Sequence, residues 1–574
     1  MGVPSLYRGL ISKFDTIHSS ENDQIVDHLY LDYNCLIHHC KTHFSTSSTS
    51  QRDIEEELIT DIVRYTSHVI CNVAKPRKLV FLSIDGQVPM GKIIKQRARR
   101  YKKVQDDSFK KKLHEKHSVQ YKEQFNGNKI TPGTQFMFKL ACRLRSFAKL
   151  GAFSKHTKTK QFKVFISDSN VPGEGEQKIM SFIKSGEAKQ NGEYPNVLIY
   201  GLDADLIILS MMLNRQKIKL LRETQNTTVE MAMYSDSEFV FFDIDRCCDA
   251  LLKEYNLTAF ERSRVIDDIA FVTMFGGNDF VEPFLHTKMR DNGMEKILNT
   301  YHQTLCECGV HCVDKSSVNF LFLKKWLSKL GNIEDHCVRK LQLRWSKTPD
   351  KPECSENTKM IDYQMSLYEH TLYSNKSNPF HYYYKDHHNK IDYKAHNSIW
   401  KEQYNDYYFC SFDNVCIDYL KCIKWTWKYY LNSTESWIWH YKHRNSPLCT
   451  DFVKFLNSYD EKTLNDIWKN ITFVPDEPLT QFEQLLIVTP MQHNSILPYC
   501  LSTFVKEYGR EFPEQFPQKF KLDVEKGGKN IYSEPVLPDI DIPRIHSIVT
   551  QCVYSEPELA RNNTYSKLFC HKIA

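Results

Sequence analysis

The chain has 574 residues, and 76 Lys and Arg against 70 Asp and Glu leave a formal net charge of only +6. That balance excludes a uniformly basic nucleic-acid coat, so any polyanion site must be local. Hydrophobic residues at 41% and charged residues at 25% are ordinary globular proportions, which sets aside the disordered and collagenous classes, and the length exceeds what one core usually organises.

The N-terminus MGVPSLYRGL lacks the apolar core of a secretory signal, and Leu6 stands where a myristoylation signal needs Ser or Thr. No run approaches the ~18 apolar residues of a membrane helix, so a soluble intracellular protein is expected. Four strand-like runs then follow, each ending in acids or leading to them. HLYLD closes at Asp32, LVFLSID closes at Asp85, FKVFIS precedes the turn SNVPGEGE with Glu174 and Glu176, and VLIYGLDAD closes with Asp203 and Asp205. Strands separated by helical stretches predict an α/β fold with a mostly parallel central sheet flanked by helices, whose ligands gather at the carboxyl ends of the strands. A later acid, Asp279 in FGGNDF, follows a helix expected to begin near Val265, and its glycines allow a close backbone approach to the same place.

A single Asp at a strand end is ordinarily a helix cap. Repetition changes the reading, because six convergent carboxylates cannot all ionise in one cleft without counter-charge. An all-oxygen set suits Mg²⁺ or Mn²⁺, and two ions roughly 4 Å apart would stabilise the attacking and leaving oxygens of a phosphodiester displacement. Directly after Asp85 the chain reads KIIKQRARRYKK from Lys92 to Lys103. On a helix, Lys92, Gln96, Arg99 and Arg100 fall at i, i+4, i+7 and i+8, one face with three cations and an amide that can hold a phosphate.

Eighteen cysteines lie scattered without the spacing of a disulfide scaffold, which predicts reduced thiols in a cytosolic or nuclear compartment. The cluster Cys306, Cys308, His311 and Cys312 lacks the separated second pair of a zinc site and reads as free thiols near a helix end. From about 346 to 395 the chain turns polar and poor in periodicity, which predicts a connecting segment, and its HYYYKDHH run with His381, His387 and His388 reads as a Tyr-rich surface rather than a metal site.

The motifs MGVPSLYRGL, LYLDYNCLIHHC, SIDGQVPMGKIIKQRARRY, ITPGTQFM, VPGEGEQKIM, YGLDADLIIL, LLRE, VIDD and GGNDF occur in the order seen in the XRN family of 5′-to-3′ exoribonucleases, which this sequence closely resembles. The resemblance covers the chain to about residue 345 and resumes from about 395 with YYLNSTESWIWHYKHRNSP, then TPMQHNSILP and FPEQFPQKFKLD. It implies a PIN/5′-nuclease-like core over 1–345, the polar connection over 346–395, and a largely helical, aromatic-rich second region over 396–574 that completes the active-site pocket. It implies processive hydrolysis of 5′-monophosphate RNA to mononucleotides by a cytoplasmic or nuclear monomer, with Mg²⁺ or Mn²⁺ as cofactor, single-stranded RNA as substrate and decapping machinery as partner.

Carried over by position, the metal-binding and catalytic acids correspond to Asp32, Asp85, Glu174, Glu176, Asp203, Asp205 and Asp279, and the 5′-phosphate pocket to Lys92, Gln96, Arg99 and Arg100. His38 matches the family histidine that stacks on the first nucleotide, with Trp437 preferred over Trp439 as its aromatic partner. Departures fall at Met90 and Gly91, where the family has a basic residue and alanine, and at Val281, Glu282 and Pro283 after GGNDF. The absence of a zinc knuckle and of a long extension beyond Ala574 suggests a compact member. The alternatives are a flap-type DNA nuclease on the same core, and an inactive RNA-binding protein, whose mark would be a lost metal ligand.

Overall fold

The structure is a computed structural model that describes residues 6–22, 24–45, 50–121, 125–151, 153, 162–185, 194–201, 203–214, 217–224, 238–346, 360–370, 399–412, 414–523, 530–563 and 568–573. Among these, eight strands form one sheet. In chain order seven are β1 (His18–Ser19), β2 (His28–Asp32), β3 (Leu79–Ser83), β4 (Phe162–Ser167), β5 (Val197–Tyr200), β6 (Ile218–Glu223) and β7 (Phe239–Asp243), and the eighth is Phe569–Ile573. Their spatial order is β1-β7-β6-β5-β2-β3-β4 and then Phe569–Ile573. The five strands β6-β5-β2-β3-β4 run parallel, and the antiparallel pairs lie toward the two edges.

The central strands are continuous apolar runs because helices cover both faces of the sheet. Their alternation still sorts side chains between the faces. Leu29, Leu31, Val80, Leu82, Val164 and Ile166 join one core, with the helices Tyr33–His43, Gln51–His68 and Gln135–Lys149. Tyr30, Phe81, Phe165, Val197 and Ile199 join the other, which runs on through the helices Gly175–Lys184, Asp205–Met211 and Arg262–Thr273 into Val415–Tyr430 of the second region. The helix expected near Val265 is therefore present.

The chain passes from β2 to β3 to β4 on one side, then returns to place β5 on the other side of β2. That reversal opens a crevice at the carboxyl ends of β2, β3 and β5. Across its mouth runs the 27-residue helix Met90–Lys116, about 40 Å long at 1.5 Å per residue. The second region, largely helical as expected, grips its start. Met90 N donates to Trp437 O (2.8 Å) and Val88 N to Gln484 Oε1 (3.0 Å). The buried Arg97 guanidinium donates to the carbonyls of Pro538 (2.6 Å), Glu514 (2.9 Å) and Gln515 (3.0 Å). Met90 and Ile93 complete a third core with the helices Gln481–Val488, Tyr499–Tyr508 and Ile542–Gln551.

Part of the expected connection over 346–395 is a helix instead. Met360–His370 docks on the far end of the long helix, where Tyr368 stacks on Phe109 at 4.0 Å and donates to Asp106 (3.0 Å). The helix buries Ile361 and carries Met365 and Tyr368 on the same side, a short stripe within an otherwise polar stretch. His381, His387 and His388 lie outside the described residues. No helix among the described residues is long and apolar enough to cross a membrane.

Candidate active site

Asp32 is the last residue of β2, Asp85 lies two residues past the end of β3, Glu174 and Glu176 flank the start of Gly175–Lys184, and Asp205 opens Asp205–Met211. Asp32 and Glu174 occupy helix-cap positions, yet neither side chain makes the capping bond. Both face the crevice instead. Gly175 permits the convergence, since a Cβ there would stand 2.9 Å from Asp32 Oδ1 and 3.0 Å from Ser83 O. The preceding Gly173 takes φ 110°, a conformation open to glycine and strained for other residues.

Ligand atoms of Glu176, Asp203 and Asp205 lie within 4.8 Å of one another, as do those of Asp32, Cys35 and Asp203. Asp203 belongs to both groups. Burial, then Asp85 and Asp203, pushes the Asp32 carboxyl well up, while burial, then Asp205 and Glu174, does the same to Glu176. Burial and the nearby Glu174 raise Asp85, and burial and Asp203 raise Asp205 to about 6. Asp205 Oδ1 is buried with no hydrogen-bond partner. Crowded carboxylates that resist ionisation, an orphaned carboxylate oxygen and a mainly oxygen donor set are what a hard divalent cation satisfies, so these residues fit one.

Inside the cluster the Lys92 ammonium is the counter-charge, paired with Glu174 at 2.5 Å and with Asp279. Burial alone would raise Asp279, yet Lys92 holds it well below the usual carboxylate range. Lys92 itself is pushed well up by Asp279 and Glu174 against the effect of burial. Helical periodicity places Lys92 on the expected face of its helix, and its ammonium reaches down to pair with Glu174 and Asp279.

Above Lys92 the same face continues upward. Gln96 Oε1 and Arg100 Nη1 are buried without hydrogen-bond partners, while Arg100 Nη2 donates to Thr131 Oγ1 at 2.6 Å. Burial and the neighbouring Arg99 bring the Arg100 guanidinium down to about 9, which leaves it cationic at neutral pH. Arg99 is exposed, and its charge is felt by both Asp279 and His38. His38 keeps an open face to solvent, but enclosure by the cleft walls, then Lys41 and Arg99, hold its ring down to about 4. It is therefore neutral, and the field of Asp203 also reaches it.

The SWIW loop separates its two tryptophans. Asp476 anchors it by accepting from Ser436 Oγ (2.5 Å) and from Trp437 N (2.5 Å). Trp439 packs edge-on against Phe473 at 4.9 Å and adjoins the main core. It also lines a cavity of about 470 Å³ behind the long helix, on the side of Met90, Gly91, Ile94 and Lys95. Trp437 joins none of the hydrophobic clusters among the described residues.

Several neighbours of the acids escaped the sequence reading. Asn34 Nδ2 donates to Asp85 Oδ2 (2.7 Å), and Cys35 Sγ donates to Asp32 Oδ2 (2.9 Å). Both sit in the first turn after Asp32, so helical spacing from that residue was a usable signal. Tyr429 had none: its hydroxyl donates to Glu174 Oε1 at 2.8 Å from 255 residues away. Beside it, Tyr430 accepts from Asn278 Nδ2 (3.0 Å) and braces the Asp279 loop. Among the departures noted in the sequence, Glu282 pairs with Lys95 at 2.6 Å, on the cavity side of the helix. The zinc alternative finds no support in the geometry. His311 bonds to Asp268 (2.8 Å), Cys312 is buried, and Cys306 faces His302 (3.2 Å).

The mostly parallel sheet thus gathers at its carboxyl edge acids that could hold a metal ion, beside a helix face that carries Arg99 and Arg100, an arrangement of the nuclease class. The family model described as "XRN 5'-3' exonuclease N-terminus" matches residues 1–224, and that described as "Xrn1 helical domain" matches 259–407 and 398–572. The chain belongs to the XRN 5'-3' exonuclease family. It is 27% identical to 5'-3' exoribonuclease 1 of Homo sapiens over 99% of this chain and 35% of that protein. With 5'-3' exoribonuclease 1 of Saccharomyces cerevisiae the identity is 24%, over 94% of this chain and 42% of the relative. With 5'-3' exoribonuclease 2 of Debaryomyces hansenii it is 25%, over 95% and 69%. The chain therefore spans well under half the length of the first two relatives.

Proposed function

We propose that this chain is a processive 5′-to-3′ exoribonuclease that hydrolyses single-stranded RNA from a 5′-monophosphate end. The observation that carries the reading is the junction at Asp279, where the acid cluster and the cationic helix face meet through Lys92 and Arg99. Asp32, Asp85, Glu174, Glu176, Asp203, Asp205 and Asp279 would hold two Mg²⁺ or Mn²⁺ ions. When bound, such ions supply an activated water and Lewis-acid stabilisation of phosphodiester oxygens.

The chain's own groups do the rest. Arg99 and Arg100 hold the terminal phosphate through charge-assisted forks, with Gln96 presenting its amide beside them. Lys92 completes the 5′-phosphate pocket with Gln96, Arg99 and Arg100 and also balances Glu174 and Asp279, so that the site is not left wholly anionic. The neutral His38 ring and Trp437 stack on successive bases, a contact that tolerates any sequence. Cap removal is the chemistry that exposes a 5′ monophosphate on a messenger RNA, so decapping enzymes in the cytoplasm are the partners that would supply the substrate.

The test is a panel of 3′-labelled RNA and DNA strands carrying 5′ monophosphate, hydroxyl, triphosphate or cap, together with a DNA flap. Monophosphate RNA should be degraded far ahead of the rest. Equal initial rates on all ends would overturn the phosphate pocket, and preferred cleavage of the flap would transfer the chain to structure-specific DNA nucleases.

A further inference from the structure

The second region carries a pair of cysteines that the reaction does not use. Cys500 is the second residue of the helix Tyr499–Tyr508, and Cys552 caps the carboxyl end of the helix Ile542–Gln551. Their Sγ atoms stand 2.7 Å apart, although 52 positions separate them in sequence. Both are half-buried, and their neighbours Tyr499 and Val553 protrude into solvent at 81% and 87% exposure. A small soluble oxidant can therefore reach the pair.

The two thiols differ in electrostatic setting. Cys500 stands in the first turn of its helix, beside the Glu558 carboxylate that accepts from Tyr499 N at 2.9 Å, whereas Cys552 stands at the carboxyl end of its helix, and a helix N-terminus is the better place for an attacking sulfur. Burial and the adjacent Cys500 push the Cys552 thiol up to about 12. Scattered thiols read from sequence alone predicted only reduced cysteines. The fold brings two of them to bonding reach at opposite helix ends.

We propose that Cys500 and Cys552 form a reversible oxidation site for peroxides, with Cys500 as the attacking and Cys552 as the resolving thiol. The Cys500 sulfur, as its thiolate, attacks hydrogen peroxide, forming an S–O bond as the O–O bond breaks, and the departing hydroxide takes up the proton that the Cys500 thiol released, as water. The Cys552 sulfur then attacks the sulfenic sulfur, an S–S bond forms, the S–O bond breaks, and the departing hydroxide takes up the Cys552 proton as water. Two thiols and one peroxide thus yield one disulfide and two waters, the sulfurs being oxidised and the peroxide oxygens reduced. The bond links two helices of the core that supports Met90 and Ile93 of the long helix. In a reducing compartment such a link is transient and signals oxidant rather than serving as a permanent brace.

The experiment treats the reduced full chain with a small excess of hydrogen peroxide, alkylates the remaining thiols and maps the peptides. The expected product is a Cys500–Cys552 linked peptide, about 2 Da lighter than its two reduced halves and released by dithiothreitol. The exposed Cys142, Cys306, Cys410 and Cys570 serve as comparators in the same digest. Cys552→Ser should leave Cys500 as a sulfenic acid that dimedone traps, whereas Cys500→Ser should leave Cys552 unlabelled. No linked peptide in the wild-type chain overturns the site, and dimedone on Cys552 in Cys500→Ser overturns the assigned order of attack. Neither readout depends on nuclease activity, so failure here is distinguishable from failure of the proposed function.

Discussion

The carboxyl edge of the sheet and the helical second region contribute to the same crevice in opposite ways. The edge supplies charge: acids on β2 or following β3, β4 and β5, where burial first and then mutual repulsion raise Asp32, Asp85, Glu176 and Asp205 together. The second region supplies position. The Tyr429 hydroxyl orients Glu174, Tyr430 holds Asn278, and Asp476 fixes the loop that carries Trp437. These holds add to those the first region already makes, from Asn34 on Asp85 and Cys35 on Asp32. The division teaches that chemistry and substrate handling can be separated by mutation.

The sharpest break falls on the edge. Asp205→Asn should lower kcat by about a thousandfold, the several kcal/mol attributed to metal stabilisation, while RNA binding in a filter assay persists. Hydrolysis at the wild-type rate would remove Asp205 from the metal set. Next comes the helix face between the two regions. Arg99→Ala with Arg100→Ala should erase the preference for a 5′ monophosphate, because each charge-assisted bond contributes about 1.5–3 kcal/mol. A preference that survives the double variant places the phosphate elsewhere.

In the second region, Trp437→Ala should weaken RNA affinity by about 1–3 kcal/mol and leave the melting temperature unchanged. Trp439→Ala should do the reverse, since that ring packs on Phe473. Identical phenotypes for the two would dissolve the distinction between a stacking and a packing tryptophan. Tyr429→Phe removes one hydrogen bond to a carboxylate and should reduce kcat about tenfold with KM unaltered. A KM effect without a kcat effect would make Tyr429 a substrate contact instead.

The smallest effect concerns pH. His38 is held down to about 4 from the usual 6.5, so between those values the folded chain binds fewer protons than the unfolded one. Its contribution to stability is therefore complete above pH 6.5 and declines as the pH falls toward 4. His38→Ala should flatten the wild-type melting curve against pH over that window. Parallel curves would mean that His38 titrates normally and is not enclosed.

Much of the edge was legible because its signal is local. Apolar runs that stop at acids mark the carboxyl ends of strands, and all four expected strands are present, with Asp85 two residues beyond the end of β3. The face of the long helix was legible for the same reason, since 3.6-residue periodicity fixes which side chains share a side. Strand Phe569–Ile573 was not, because its pairing with β4 depends on chain far away. The helix Met360–His370 was missed because its stripe of Ile361, Met365 and Tyr368 is short and set in a polar stretch.

The sequence by itself thus determined where acids follow strand ends, which basic residues share a helix face, and which family the motifs resemble. Tertiary structure alone decided that Lys92 belongs among the acids, that Tyr429 holds Glu174, that Trp437 and Trp439 part company, and that Cys500 meets Cys552. The physical reason is range. Strand ends and helix faces follow from neighbours a few residues apart, whereas ion pairing, ring packing and thiol contact depend on groups that only the closed fold brings within a few ångströms.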